Sequence, residues 1–415
     1  MPDLLIGVDL TRPPDQQRYP LHNRWHPDIP PVARVSSGSA FRVECMDLTG
    51  GQILNDDSAD DVARLQMEEV HYLTGPIEVV GARPGDLLAV DVLDMGSIAG
   101  AEWGFSAIVD GSFGMGLLTT EFAEPRKAIW DLDGVFATSR HIGGVRLIGQ
   151  PHPSVIGCAP SHALLDEWLR REARPLRRAH AALRAVAAPT ARGALLGSLP
   201  AMRSRGLADH AARTWAAREH GGSLAIKEFT KGGRGYFPVY VDGAHLSLGD
   251  LHFSRGDGKI AGLGAVKMAG GWIDLKVEVI PRGMERLSIH DVVLETAPVA
   301  SPYGAGRSLV FEGISVMHPS GEQRLLDVHA AYERALMRAI EFLERFGYSR
   351  EQAYVLLSAL PVEGRLSCLL EHPNVCVTIA VPMSAFEFDV GPMPRSMTAP
   401  PLGSLSRPSE SSPAA

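Results

Sequence analysis

Alternating apolar and polar positions recur along the chain and predict strands. The clearest case is WIDLKVEV at residues 272–279, where from Ile273 onward every second residue is aliphatic and the residues between are charged. A period of two places the aliphatic side chains on one face of a half-buried strand. Apolar, β-branched stretches at residues 41–48, 87–94 and 375–382 predict further strands. The pattern therefore indicates a β-rich chain.

A helical period appears in two parts of the chain. The segment that begins at Ser161 is rich in Ala, Leu and Arg, and Ser161 is its predicted N-cap. Pro175 is predicted to break this helix, because proline lacks the backbone N–H donor. A second amphipathic stretch runs from Asp327, the predicted N-cap, to Gly347, and residues 350–360 form a further predicted helix.

These elements divide the chain into four predicted parts. Residues 1–160 form a β-rich part, residues 161–222 a helical excursion, and residues 223–391 a C-terminal α/β part. Residues 392–415 are rich in Pro and Ser with almost no apolar content, so they are predicted to be a disordered tail. The expected fold class is α+β and β-rich.

Composition narrows the possible partners and the compartment. The 415 residues carry a net charge of −8, so the chain lacks the excess positive charge that is typical of nucleic-acid-binding proteins. There is no run of about 18 apolar residues, so no membrane span is expected. The first residues have neither the basic nor the apolar region of a signal peptide, and the four cysteines form no CxxC pair. A cytoplasmic location is expected.

The stretch GDLHFSRGDGK gathers groups that carry chemistry. It holds Asp250, His252 and Asp257 between glycines and ends at Lys259, and Lys267 follows shortly after. Asp250 and His252 are two apart, so on a strand they point to the same face. Such a set suits a metal or an acid–base site, or a tight hairpin whose Asp side chains bond to their own backbone.

Several stretches taken together resemble the acetamidase/formamidase family, most closely its formamidase branch. They are HNRWHPDIPP, MDLTGGQILNDDSADD, VHYLTGPIEVVGARPGDLLAVDV, KAIWDLDGVFATSRHI, HPSVIGCAPS, GDLHFSRGDG and YVLLSALPVEGR. The resemblance implies hydrolysis of a small amide, formamide or acetamide, to the acid and ammonia. It also implies a soluble, oligomeric and metal-associated protein, with a mixed β-sandwich or barrel and helical additions.

The chain departs from the family pattern at the site that the resemblance implies. Ser223 stands where the family has Asn, Ala225 where it has Asp, Arg255 where it has Gln, and Lys259 and Lys267 where it has Glu. These changes make the expected pocket more positive. Repulsion between unit charges about 4 Å apart is roughly 4 kcal/mol at an effective dielectric of about 20, and a dication doubles it. No metal or other cofactor is therefore expected.

A lysine can instead replace the ion by pairing with Asp250 or Asp257. The expected catalytic residues are Asp250, His252, Asp257, Asp47 and Lys267. The expected substrate-binding residues are Lys259, Arg255, Gln52, Glu44, His71 and Ser223. If a metal were bound, Asp250 and His252 would be its ligands.

The sequence leaves three functions open. The first is an amidase of the family that acts on a small linear amide. The second is a diverged enzyme whose cationic, metal-free pocket takes a larger or anionic substrate. The third is a non-catalytic homologue. The expected partners are a small-molecule substrate and other copies of the chain, without nucleic acid or membrane.

Overall fold

The computed structural model describes residues 1–179, 187–297, 303, 306–393 and 400–409. Strands are the main element of these residues, at 35% against 19% for helices. The predicted β-rich α+β class is confirmed. Within these residues no helix is both long and apolar enough to cross a bilayer.

The strands are numbered in chain order. They are β1 (Leu4–Ile6), β2 (Arg24–Trp25), β3 (Ala33–Ser36), β4 (Ala40–Met46), β5 (Thr74–Val80), β6 (Leu87–Ser97), β7 (Trp103–Ile108), β8 (Arg126–Asp133), β9 (Phe136–Ser139), β10 (Leu147–Ile148) and β11 (His152–Gly157). They continue with β12 (Ala212–Arg213), β13 (Ala217–Arg218), β14 (Gly221–Ser223), β15 (Arg234–Pro238), β16 (Leu246–Ser254), β17 (Leu263–Met268), β18 (Gly270–Ile280), β19 (Val293–Glu295), β20 (Ser308–Ile314), β21 (Glu363–Glu371) and β22 (Asn374–Pro382).

The helices are fewer than the strands. The α-helices are α1 (Asp60–Ala63), α2 (His162–Arg178), α3 (Ala201–Leu207), α4 (Gly283–Leu287), α5 (Val328–Glu344) and α6 (Arg350–Ala359). Short 3-10 turns occur at Pro14–Gln16, Met67–Glu69, Gly111–Phe113 and Met383–Ala385.

Two large sheets organise the molecule. One has the order β1-β4-β18-β6-β15-β19. The other runs β10-β9-β8-β7-β17-β16-β11-β14-β13, with β5 also paired to β16 and β3 to β5. Both sheets contribute to one apolar core, which includes Val277 of β18 and Leu248 of β16. Helix α6 packs against β17 and β7, so it supports the strands at the centre of the second sheet.

The predicted N-terminal and C-terminal parts are interleaved in the fold. Strand β18 comes from the C-terminal part, yet it pairs with β4 and β6 of the N-terminal part. Likewise β17 of the C-terminal part pairs with β7. The two parts therefore share both sheets and one core, and neither forms a separate structural unit.

Helix capping follows the sequence closely. The side chains of Ser161 and Asp327 accept the backbone N–H groups of Leu164 and Ala330, as their predicted N-cap positions require. The prediction that Pro175 ends the first helix is wrong, since α2 continues to its last residue, Arg178. Proline removes only its own donor, so the residues after it continue the helix for its last turn.

Residues 400–409 of the predicted disordered tail pack against the body of the protein. The backbone of Ser406 exchanges hydrogen bonds with that of Lys127, at 2.9 and 3.2 Å, and Leu405 is buried. The prediction of disorder is wrong for this segment, because its backbone groups and an apolar side chain find partners on the sheet. Residues 394–399 and 410–415 lie outside the described residues.

Candidate active site

Three neighbouring strands bring the chemistry of the site together. Asp250 and His252 lie on β16, and the register pairs His252 with Lys267 on β17 and with His152 on β11. All four side chains are buried. The two-residue spacing of Asp250 and His252 places both next to Lys267, as the sequence predicts for residues that share a strand face.

Asp250, His252 and Lys267 form a closed triangle of contacts, which we call the charged triad. Lys267 Nζ lies 3.0 Å from Asp250 Oδ1 and 2.8 Å from His252 Nε2. His252 Nε2 lies 3.0 Å from Asp250 Oδ2. Each group is within hydrogen-bonding distance of the other two, so the predicted pairing of Lys267 with Asp250 is confirmed.

His71 extends the triad toward an aromatic wall. Its Nε2 lies 3.3 Å from Asp250 Oδ2, and its ring stacks on Trp215 with centroids 4.1 Å apart. The ammonium of Lys259 lies 4.9 Å from the centroid of the same indole. Trp215 therefore links the buried triad to Lys259, which is half-buried.

Burial and the contacts within the triad together set its charge state. Burial disfavours the carboxylate of Asp250, but the contacts with His252, Lys267 and His71 together outweigh it, so the pKa of Asp250 lies well below its usual value. Burial lowers the pKa of His252 well below its usual value, so the ring is neutral at neutral pH. Burial also lowers the pKa of Lys267, against the opposing attraction of Asp250.

These charge states define where a proton can move. A protonated Lys267 donates to Asp250. Nε2 of His252 lies within hydrogen-bonding distance of both groups, so it either donates to Asp250 or accepts from Lys267. Loss of one proton from Lys267 leaves an amine that accepts a proton from a neighbouring molecule. The triad thus provides a proton acceptor next to a fixed negative charge.

Two further groups act on the triad through their charge. Asp47 is buried, and burial followed by the charge of Asp250 raises its pKa to about 6, although Thr49 and Gly51 donate hydrogen bonds to it. Burial and the charge of Lys267 lower the pKa of Lys259 to about 7. Both side chains therefore titrate within the range in which most enzymes work.

The sequence profile of the Acetamidase/Formamidase family matches residues 7–388. The chain belongs to this family. It is 46% identical over 389 residues to a formamidase of Methylophilus methylotrophus, which covers 94% of this chain and 95% of that protein. It is 43% identical over 379 residues to an acetamidase of Mycolicibacterium smegmatis, which covers 88% and 91%.

A solved structure supports the same conclusion. The gamma lactamase from Delftia acidovorans superposes with a TM-score of 0.93 at 42% identity, over 98% of this chain and 100% of that one. The family resemblance read from the sequence is confirmed. The chain is a family amidase, which hydrolyses the C–N bond of a small amide.

Two of the expected family site residues lie on the loop beside the triad. Asp257 forms an ion pair with Lys227 and accepts the backbone N–H of Gly364 at 3.0 Å. The guanidinium of Arg255 donates to the carbonyl of Ala225. These contacts hold the loop in place, and neither residue contacts the charged triad.

The remaining predicted residues lie farther from the triad. The carboxylate of Glu44 accepts the backbone N–H of Val8 at 3.1 Å. The amide of Gln52 donates to the carbonyl of Thr49 at 3.0 Å, within its own turn. Ser223 lies on β14, which is separated from β16 by β11. Their predicted roles in substrate binding have no contact in support.

Sequence reasoning did not assign Trp215, His152 or Lys227 to this site. The ring of His152 meets that of His252 edge-on at 5.3 Å, and its Nδ1 contacts the carbonyl of Gln150. A histidine at the start of the apolar strand HPSVIG is a signal that could have suggested a buried role for His152. No local pattern around Trp215 indicates its position, which depends on the strands that fold over it.

Proposed function

We propose that this amidase hydrolyses the primary amide of a short carboxylic acid at the charged triad, with Lys267 as the group that accepts and returns the proton. One observation carries the proposal. Lys267 Nζ lies 3.0 Å from the Asp250 carboxylate and 2.8 Å from His252 Nε2, while Lys267 is only 2% exposed. This environment favours both the charged and the neutral form of the amine during one reaction cycle.

The reaction would begin with water. The neutral amine of Lys267 takes a proton from water as the water oxygen attacks the carbonyl carbon, and the C=O electron pair moves to oxygen. The C–N bond then breaks, and the proton on Nζ passes to the leaving nitrogen, which departs as ammonia. Asp250 stabilises the ammonium formed in between, since the pair is buried in low dielectric.

Lys259 is the proposed partner of the carbonyl oxygen. No carboxylate among the described residues lies within 4.0 Å of its ammonium, and the Trp215 ring is its neighbour. An ammonium without a carboxylate partner is free to stabilise the negative charge that develops on the substrate oxygen. Trp215 would then form the apolar wall against the acyl group.

The triad does not suit a divalent cation. A metal held by Asp250 and His252 would meet the ammonium of Lys267, which contacts both groups. Among the described residues, no set of three or more His, Cys, Asp or Glu side chains is arranged to hold a metal. We therefore derive every step from side chains, and Lys267 takes the place that a metal would have beside Asp250.

A larger or anionic substrate is the second candidate. The ammonium of Lys259 favours it, because a cation beside an aromatic wall also binds a carboxylate of the substrate. The Delftia relative, a gamma lactamase, extends the range of amides to a cyclic one. A non-catalytic role is less well supported, since the triad is complete.

Substrate scans distinguish these candidates. Ammonia release would be measured with formamide, acetamide, propionamide and succinamate, and ring opening with a γ-lactam. The expected result is the highest kcat/KM for the short neutral amides and a loss of about 100-fold or more in Asp250→Asn. Asp56→Asn, at another buried lysine, is the matched control and should retain activity.

Other outcomes would change the proposal. Preference for succinamate would favour the anionic-substrate function. Full activity in Asp250→Asn, or no turnover of any amide by the folded wild type, would contradict catalysis at the triad.

A homo-oligomer and a cytoplasmic location are parts of the same proposal. Leu366 and Leu370 of β21 are 57% and 72% exposed, which suits contact with a second copy. The four cysteines are free, as a reducing compartment requires. Light scattering of the wild type and of Leu370→Glu would test the oligomer, and a monomeric wild type would contradict it.

A further inference from the structure

Two buried arginines occupy directly paired strand positions in the interior. Arg24 on β2 pairs directly in register with Arg213 on β12. Arg24 is 0% and Arg213 1% exposed. Burial lowers the pKa of Arg24 to about 9 and that of Arg213 to about 10, so both remain charged at neutral pH.

No carboxylate neutralises this pair in the part of the chain that the structure describes. Arg24 donates to the carbonyls of Asn23, Thr190 and Arg192, at 3.0 to 3.3 Å. Among the described residues, Arg213 donates only to the carbonyl of Met67, at 2.8 Å. Nε of both arginines and Nη1 of Arg213 are buried without a partner in the same part of the chain.

The acidic residue that acts on both arginines, Glu68, already has another partner. Glu68 attracts both guanidinium groups through space, yet its carboxylate pairs with Arg192 at 3.6 Å. It does not lie within 4.0 Å of Arg24 or Arg213. The pair therefore keeps an excess of positive charge in the interior, which is costly without a counter-charge.

A third buried arginine nearby, in contrast, has a carboxylate partner. Arg218 is 9% exposed, and its guanidinium forms two bonds of 2.8 Å with the carboxylate of Glu172. Arg213 and Arg218 both line a cavity of about 290 Å³ that Trp215 also borders. One arginine of this wall is thus neutralised by the chain, whereas the other is not.

We propose that Arg24 and Arg213 bind a small monovalent anion, either a halide or a short carboxylate such as formate. The three unpartnered N–H donors point to a bound acceptor rather than to a further ion pair. Because the donors are buried, only a small ion could reach them, and the cavity that Arg213 lines provides an approach.

The anion would stabilise the back of the active site. Thr214 follows Arg213 directly and donates to the carbonyl of His71 at 3.2 Å, and Trp215 stacks on the His71 ring. Fixing Arg213 therefore fixes the segment that holds His71 against Asp250. The site differs from the amide-hydrolysis site and does not depend on its mechanism.

Diffraction from wild-type crystals tests the site directly. Crystals soaked in bromide are expected to show an anomalous peak between the two guanidinium groups, and crystals soaked in formate a planar density at the same place. Absence of both, with a water in that position, would overturn the proposal. No variant is needed for this measurement, so a folding defect cannot obscure it.

Thermal unfolding tests the site in solution. With gluconate as the reference anion, a tenfold rise in chloride or formate above its Kd should raise Tm by about 2 °C. The rise should vanish in Arg213→Gln and in Arg24→Gln, and remain in Arg218→Gln, whose partner is Glu172. A response to one anion only would identify the source, and an equal response in all variants would overturn the proposal.

Discussion

Two buried lysines of this amidase show how the same side chain serves two purposes. Lys127 Nζ lies 3.0 Å from the carbonyl of Leu54, 2.8 Å from Asp56 and 2.7 Å from Asp61. Three donors thus meet three oxygen acceptors. Lys267 meets one carboxylate and an imidazole nitrogen, and burial lowers its pKa, so it gives up a proton more readily than an exposed lysine.

The backbone around the two lysines differs as well. Lys127 lies within the regular strand β8. Around Lys267, non-glycine residues adopt left-handed conformations, with φ of 70° at His71, 49° at Asp250 and 48° at Lys259. Such conformations cost of order 1–3 kcal/mol each and concentrate at functional sites. The comparison teaches that burial and an ion pair alone do not mark a site, whereas an exchangeable proton does.

The strongest test of the comparison is Lys267→Met. Methionine fills a similar volume but cannot carry a proton, so we expect kcat/KM to fall by about 1,000-fold. The measurement is ammonia release by folded, purified protein. Lys127→Met is the matched control, and its folded fraction should keep kcat within a small factor of wild type. Equal losses of kcat in both variants would contradict the distinction between the two lysines.

Lys127→Met should reduce the stability of the folded state. It leaves the carboxylate of Asp61, which is 8% exposed, without its cation, and removing one partner of a buried pair costs about 3 kcal/mol. Urea unfolding followed by fluorescence gives the free energy. A loss below about 0.5 kcal/mol would show that the Lys127 cluster is not a structural ion pair.

The pH dependence of kcat/KM tests the proposed role of Lys259. Its pKa is about 7, so the ammonium that we assign to the substrate oxygen is lost as the pH rises above this value. We expect kcat/KM to fall about tenfold per pH unit above pH 7. In Lys259→Arg the fall should move to higher pH, because arginine keeps its charge. An unchanged pH dependence of kcat/KM in this variant would show that another group causes the fall above pH 7.

The same pKa fixes the sign of a stability effect. The folded-state pKa of Lys259, about 7, lies below the ordinary value of 10.5, so the unfolded chain holds more protons between these values. This group therefore makes the folded state more stable as the pH rises from about 7 to 10.5. Lys259→Met should flatten this part of the curve of unfolding free energy against pH.

The smallest expected effect belongs to Trp215→Leu. Stacking with the His71 ring positions that histidine against Asp250, and aromatic stacking is worth about 0.5–1.5 kcal/mol. We expect kcat/KM to fall about 3–10-fold, with a wider tolerance for acyl length. Trp272→Leu, at a tryptophan stacked on Arg42 instead, should leave both unchanged. A larger effect of Trp272→Leu would refute a specific role of Trp215.

Much of this site follows from local patterns in the sequence. The spacing of Asp250 and His252 on one strand predicts their shared face, and the positive charge of Lys267 predicts its pairing with a carboxylate. In contrast, no local pattern in NDDSADD, residues 55–61, indicates its partner. The structure shows that Asp56 and Asp61 of this stretch bind Lys127 across more than 60 positions of sequence.

The sequence by itself determined the β-rich class, the capped helices, the family and the strand that carries Asp250 and His252, because each depends on neighbours along the chain. The tertiary structure alone decided the contact of His71 with Asp250, the place of Trp215 and the pairing of Arg24 with Arg213. These depend on strand register and on burial. Neither leaves a local pattern in the sequence, since buried and solvated cations are formed by the same residue types.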